Sequence, residues 1–321
     1  MKLPLVPAGF FGMVLGIVGL GTSWRVAARL WYLPSMVGEA IVVGGVAVWL
    51  VLTLLYAGKW IVAAAAARIE VADPVLCCYV GLVGVATMLA AIGVLPYSPL
   101  IAGVIFSVGA LFTFGFGLWR TGHIWRGGRD HTATTPVLYL PLVAGSFVLS
   151  IGLSQFGHPD WAQLAFGGGL FTWLAIESVL LHRLYMAEPL SEALRPTLGI
   201  QLAPPAVGAL AYAGSTAGAP DFWAHALIGY AVLQAALLAR MLPWIVTRFS
   251  PGLWGFSFGA TALATVTEML AVHGETGPAA AIAPVALFLA NALVAALVIG
   301  TTLMLVCGKL LPAPTPAPVV S

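Results

Sequence analysis

Ten stretches of roughly twenty residues run through this chain with scarcely a charge inside them, a pattern that fits lipid and not water. A bilayer core about 30 Å thick takes about 20 helical residues. The uninterrupted runs therefore predict ten spans, near residues 8–23, 38–57, 75–95, 98–118, 136–155, 161–182, 197–215, 222–240, 251–271 and 279–307. Charged residues make up 7% of the chain and hydrophobic residues 61%, so too few polar side chains remain to wet the surface of a compact soluble body. The fold class that follows is all-α integral membrane, with 1–310 as one transmembrane domain and the Pro/Ala-rich 311–321 as a disordered cytoplasmic tail. The first run continues into Arg25 and Arg29 without a small-residue cleavage site, so it reads as a span and not as a removed leader.

Orientation follows from the basic residues, which are retained near span ends on the cytoplasmic side. In the ten-span reading Lys2, Lys59, Arg68, Arg120, Arg126, Arg129, Arg183, Arg195, Arg240, Arg248 and Lys309 fall on one side, and Arg25 and Arg29 on the other. Both termini are expected in the cytoplasm, in a cytoplasmic (inner or plasma) membrane. The odd spans join the even ones through short external loops, such as Leu95 to Tyr97 and Val272 to Gly277. A proline stands at the start of each odd span, at Pro7, Pro74, Pro136, Pro196 and Pro251, so five helical hairpins are expected to repeat.

Several function classes lose their residues at this point. A net charge of +2 without a basic cluster leaves nucleic acid no footprint. Cys77, Cys78 and Cys307 have no metal or disulfide spacing and read as small buried hydrophobes. The six histidines fall mostly in loops or at span ends, which offers no haem pair, and no phosphate-cradling glycine motif is present. Neither a cofactor, a metal nor an enzymatic site is expected. No Lys or Arg lies near the middle of a span, where a retinal base or a tight dicarboxylate site would need one.

What remains is transport, and the odd spans carry its signals. Small or polar residues recur at helical spacing: Gly12, Gly16, Gly19 and Ser23 in the first span, Ser146, Ser150 and Ser154 in the fifth, Thr261, Thr265 and Glu268 in the ninth. Such stripes serve close helix packing or a polar path, and both readings stand. Pro204 and Pro205 read as mid-helix breaks in the seventh span, where freed carbonyls must be buried or line a cavity. Two carboxylates lie within spans. Glu177 reads as a structural hydrogen bonder or a proton-coupling group, and Glu268 as facing a wet external vestibule or as an interfacial carboxylate without a role.

The strings PAGFFGMVLG at 7–16, AVWLVLTLLYAGK at 47–59, FGGGLFTWLAIESVLLHRL at 166–184, RPTLGIQLAP at 195–204 and MLPWIV with GLWGFSFG between 241 and 259 carry a resemblance. Together they resemble the tellurite-resistance/dicarboxylate transporter family, bacterial homologues of the plant guard-cell slow anion channel. The resemblance implies a homotrimer of ten-helix subunits, each with its own pore inside five odd-numbered inner helices, ringed by the even-numbered helices and shut by a phenylalanine on the ninth. By position in GLWGFSFG that residue is Phe258. Gly12, Gly16, Ser146, Phe147, Ser150, Pro204, Gly255, Gly259, Thr261 and Thr265 are the pore-lining candidates that go with it. The implied activity is passive conduction of small inorganic or organic anions, chloride or nitrate among them. The alternative on the same fold is a proton-coupled C4-dicarboxylate transporter or a tellurite/oxyanion exporter. Relatives have a proline after the glutamate of the sixth helix, whereas here Glu177 is followed by Ser178. Only about six residues precede the first span, which gives little room for the phosphorylated amino-terminal region of the plant channel.

Overall fold

The computed structural model describes residues 4–128, 130–216 and 220–311. Among them there is no strand. The α-helices are α1 (Gly12–Trp31), α2 (Ser35–Val62), α3 (Ala64–Ala72), α4 (Leu76–Val94), α5 (Pro99–Ile124), α6 (Gly145–Gln155), α7 (Pro159–Met186), α8 (Ala203–Ser215), α9 (Phe222–Ile245), α10 (Ser257–Val272) and α11 (Pro278–Val306). Nine helical segments among the described residues are long and apolar enough to cross a bilayer. The protein is a multi-pass, all-helical membrane protein. The seventh predicted span, a 3-10 helix, Arg195–Leu202, running into α8, is not among these nine. The expected tail lies, from residue 312 on, outside the described residues.

Burial divides the segments in two. The first, third, fifth and ninth predicted spans are 67 to 83% buried over their apolar windows, whereas the even-numbered ones are only 22 to 33% buried. The even-numbered segments turn large side chains such as Leu54, Leu111, Phe171 and Phe288 outward, which is tolerable only against acyl chains. Packing neighbours among the buried segments run from α1 to α4, α4 to α6, α6 to α8, α8 to α10 and from α10 back to α1. Small residues permit these approaches. A methyl group added at Gly16 would overlap the Ser257 side chain and the Trp254 ring, and one at Gly19 would overlap the Thr261 hydroxyl, so α1 and α10 meet along a seam that only glycine allows.

The starts of the buried segments differ from simple capped helices. Pro7 precedes the 3-10 turn Ala8–Phe11, and Pro136, Pro196 and Pro251 lie within the 3-10 stretches Pro136–Leu138, Arg195–Leu202 and Pro251–Phe256. Pro74 sits in a turn ahead of α4. In the fifth segment Pro141 withholds a donor from the helical ladder, and a π-helical stretch, Leu140–Ala144, takes the place of α-helix there. Pro204 and Pro205, read from the sequence as breaks in mid-helix, instead occupy the first turn of α8, where their missing N–H groups are no loss. The irregular backbone is the 3-10 stretch before them.

Other differences have local causes. α1 runs on to Trp31 because Arg25 is neutralised within the fold by Glu39, at 2.7 Å, and does not force the helix to end in water. The link after the second span contains α3, which the charge pattern of the sequence did not reveal. Cys77 and Cys78 are buried as expected, but Cys307 is exposed, since it forms the C-cap of α11 beyond the packed part of the helix.

Candidate conduction cavity

The irregular starts of the buried segments surround a cavity of about 210 Å³. Its wall begins with Pro7, Gly9 and Gly12 from the first segment and Pro251, Gly252 and Gly255 from the ninth. Tyr79 and Leu82 come from α4, Tyr139, Leu140, Val143, Ala144 and Phe147 from the fifth segment, and Ile200, Ala203, Pro204 and Val207 from the seventh. Leu15, Leu82, Phe147, Val207 and Phe258 lie farthest along their segments and form its deep end. None of the lining residues carries a charge. Prolines and glycines give the mouth its shape, because 3-10 backbone is longer per residue than α-helix and keeps side chains from crowding the opening.

Of the sequence candidates, Gly12, Phe147, Pro204, Gly255 and Phe258 meet at this cavity. Gly16, Ser146, Ser150, Gly259, Thr261 and Thr265 are absent from its wall, and their surroundings explain why. Gly16 faces α10 across the seam described above, and an added methyl at Gly259 would sit 2.7 to 2.8 Å from the Leu202–Ala203 backbone. Ser146 faces α7 at Gly169, and Ser150 is fully buried. Thr261 donates to the Phe258 carbonyl at 3.1 Å and Thr265 to the Thr261 carbonyl at 2.8 Å, so both hydroxyls are spent inside their own helix. The α10 stripe is packing against α1 for most of its length, and only Phe258 at its start reaches open space.

Glu268 continues that stripe and does not face a wet vestibule. It is fully buried, and both its oxygens receive the single Ser23 hydroxyl, at 2.9 and 3.1 Å. Glu177 is buried too, but richly satisfied. The Tyr139 hydroxyl and the Trp173 indole N–H (3.0 Å) donate to Oε2, and the Tyr230 hydroxyl (2.7 Å) donates to Oε1. Gln234 in turn donates to Tyr230 at 2.8 Å. Since Tyr139 lines the cavity, Glu177 fastens part of its wall to α7 and α9. The helix passes straight through the Glu177–Ser178 step, with Ser178 donating to the Ala175 carbonyl at 2.9 Å.

A second buried cluster beside the mouth is not legible in the order of residues. Lys59 and Glu70 pair at 2.8 Å, and Glu70 also accepts the backbone N–H of Ala8 at 2.7 Å and the Tyr56 hydroxyl at 3.2 Å. Spacing places Tyr56 and Lys59 on one helical face, but only the folded chain brings Glu70 to them. On the basic side, Arg120 is buried with its Nε unpartnered, Arg126 is exposed, and Arg129 lies outside the described residues.

A family model described as voltage-dependent anion channel matches residues 6–303. The chain belongs to this voltage-dependent anion channel family. A curated relative from Haemophilus influenzae, the tellurite resistance protein TehA homolog, is 35% identical over 261 residues, which are 81% of this chain and 79% of the relative. The family match spans all five segments that wall the cavity, so the uncharged cavity lies wholly within the part of the chain that this voltage-dependent anion channel family defines.

Proposed function

We propose that the protein is a passive, anion-selective channel whose pore runs inside a ring of the five odd-numbered segments, with the even-numbered segments outside, and is occluded by Phe258. The observation that carries this reading is the uncharged cavity at the convergence of those five segments, ended by a phenylalanine. Conduction requires binding loose enough to release the ion. A wall of apolar and aromatic groups with no fixed cation holds a monovalent anion weakly. Attraction comes instead from the helical segments themselves. All five point their N-terminal ends toward the mouth, and the partial positive charge of those ends favours an anion there without trapping it.

The oligomer we propose is a trimer with one pore per subunit, in the cytoplasmic membrane with both termini inside. The trimer rests on the family resemblance and the orientation on the eleven basic residues of one side. The related name of the Haemophilus influenzae relative leaves an oxyanion as a substrate to test. A proton-coupled carrier has less support, since Glu177, the candidate for its titrating group, is held by three hydrogen-bond donors.

Planar-bilayer recording with chloride, nitrate, malate and tellurite in turn tests the proposal. Phe258→Ala is expected to pass large constitutive currents of monovalent anions down their gradient with no proton movement. A correctly assembled Phe258→Ala protein with wild-type current would remove Phe258 as the gate. Proton uptake in fixed proportion to malate would replace the channel by the carrier.

A further inference from the structure

Phe147 and Phe258 reach the deep end of the cavity from segments that are not neighbours, because α8 packs between α6 and α10. The two rings are held very differently. Phe147 is completely buried, and its ring is clamped by two glycines on two other helices. A methyl group at Gly169 of α7 would lie 2.8 Å from two of its ring carbons, and one at Gly208 of α8 would lie 3.1 Å from its Cζ. The Phe166 ring closes a third side, with centroids 5.9 Å apart. The ring is therefore packed between α7 and α8 on two sides. Phe258 keeps 8% of its surface accessible, and a methyl at Gly19 of α1 would lie 3.9 Å from its Cδ2, an ordinary contact.

We infer that Phe147 is the fixed wall of the constriction and sets which anions pass once Phe258 has moved, so that gating and size selection belong to different rings. The inference rests on the conduction reading above. A gate must move, and Phe258 has open space before it. A size filter must hold its position, and Phe147 is immobilised by glycines whose lack of a side chain lets α7 and α8 close on the ring. When Phe258 swings aside, the remaining width is the gap between Phe147 and the opposite wall. Gly208 thereby becomes an indirect determinant of pore size, since a methyl there, 3.1 Å from Cζ, obliges the Phe147 ring or α8 to give.

The test is a set of permeability ratios, thiocyanate over chloride and nitrate over chloride, from reversal potentials of purified protein in planar bilayers. Phe258→Ala supplies the open background. Adding Phe147→Ala to it is expected to raise the thiocyanate ratio about threefold or more, and adding Gly208→Ala to shift it measurably. Unchanged ratios in the Phe258→Ala/Phe147→Ala protein overturn the inference and leave the channel reading standing. Absence of current in Phe258→Ala overturns the conduction reading and this inference together. If Phe147→Ala is not monodisperse on size exclusion, Phe147→Leu in the same background, which replaces the ring by a smaller aliphatic side chain and keeps most of the packing, decides by the same ratios.

Discussion

Lys59 and Glu70 form an ion pair of 2.8 Å with side chains only 7% and 6% exposed, immediately behind the mouth of the cavity. Glu70 belongs to the connecting helix α3, and through the Ala8 N–H it holds the first turn of the first segment, whose neighbours Pro7 and Gly9 line the wall. Removing one partner leaves a buried charge and an unpaired backbone donor. Glu70→Ala is therefore expected to cost about 3–5 kcal/mol, read as a large fall in the thermal midpoint in detergent. Replacing both partners by apolar residues, Lys59→Met with Glu70→Leu, should cost clearly less. Equal losses in the single and double variants would show that the pair adds nothing beyond packing.

Phe256 and Phe258 stand two residues apart yet do different work. Phe256 is 7% exposed, with its ring packed flat against the space that Gly199 leaves open, and it takes no part in the cavity wall. Phe256→Ala is expected to destabilise by about 3–5 kcal/mol without opening the channel, since the loss is a core cavity and not a plug. Recording and thermal unfolding on the same preparations separate this from the large current expected of Phe258→Ala.

The carboxylate of Glu177 accepts three hydrogen bonds, and an amide has only one oxygen to offer. Glu177→Gln is expected to lose about 1–3 kcal/mol for each donor left without a partner, with anion flux preserved in the fraction that folds. Liposomes carrying a pH-sensitive dye check the second half. Malate-driven proton uptake in the native protein that vanishes in Glu177→Gln would make this group a proton carrier instead.

Arg25 and Arg29, external in the orientation proposed above, sit four residues apart but are held differently. Arg25 is bound to Glu39 through two bonds of 2.7 and 2.9 Å, whereas Arg29 is exposed. Arg29→Gln is therefore expected to lower inward anion conductance at low salt and to matter little at high salt, because screening shortens the reach of an exposed charge. Arg25→Gln should act on stability, by releasing Glu39, with little salt dependence in conductance. Conductance measured across a salt series for both variants distinguishes the two roles.

Much of this architecture is legible in the order of residues because its causes are local. The length of an apolar run against the thickness of a bilayer gives the membrane class and the nine segments long and apolar enough to cross, and a hydroxyl or a glycine every third or fourth residue marks a helical face. The string GLWGFSFG singles out Phe258, and Phe258 does border the cavity. What a stripe faces is another matter. Gly16, Thr261 and Thr265 share a period with a polar path, but two helices with small faces approach until those faces touch, and here α1 and α10 consume their stripes on each other. Glu268 is drawn into that seam with Ser23 as its donor. The same holds for Lys59, basic and near a span end in sequence, whose charge is neutralised by a glutamate eleven residues away that a short connecting helix folds back onto it. The sequence by itself determined that this chain lives in a membrane and where its long apolar helices run, since hydropathy acts on each residue alone. Only the tertiary structure decided which residues line a cavity, which are packing and which charges are cancelled, since those depend on what stands opposite, and that is a property of pairs of distant residues.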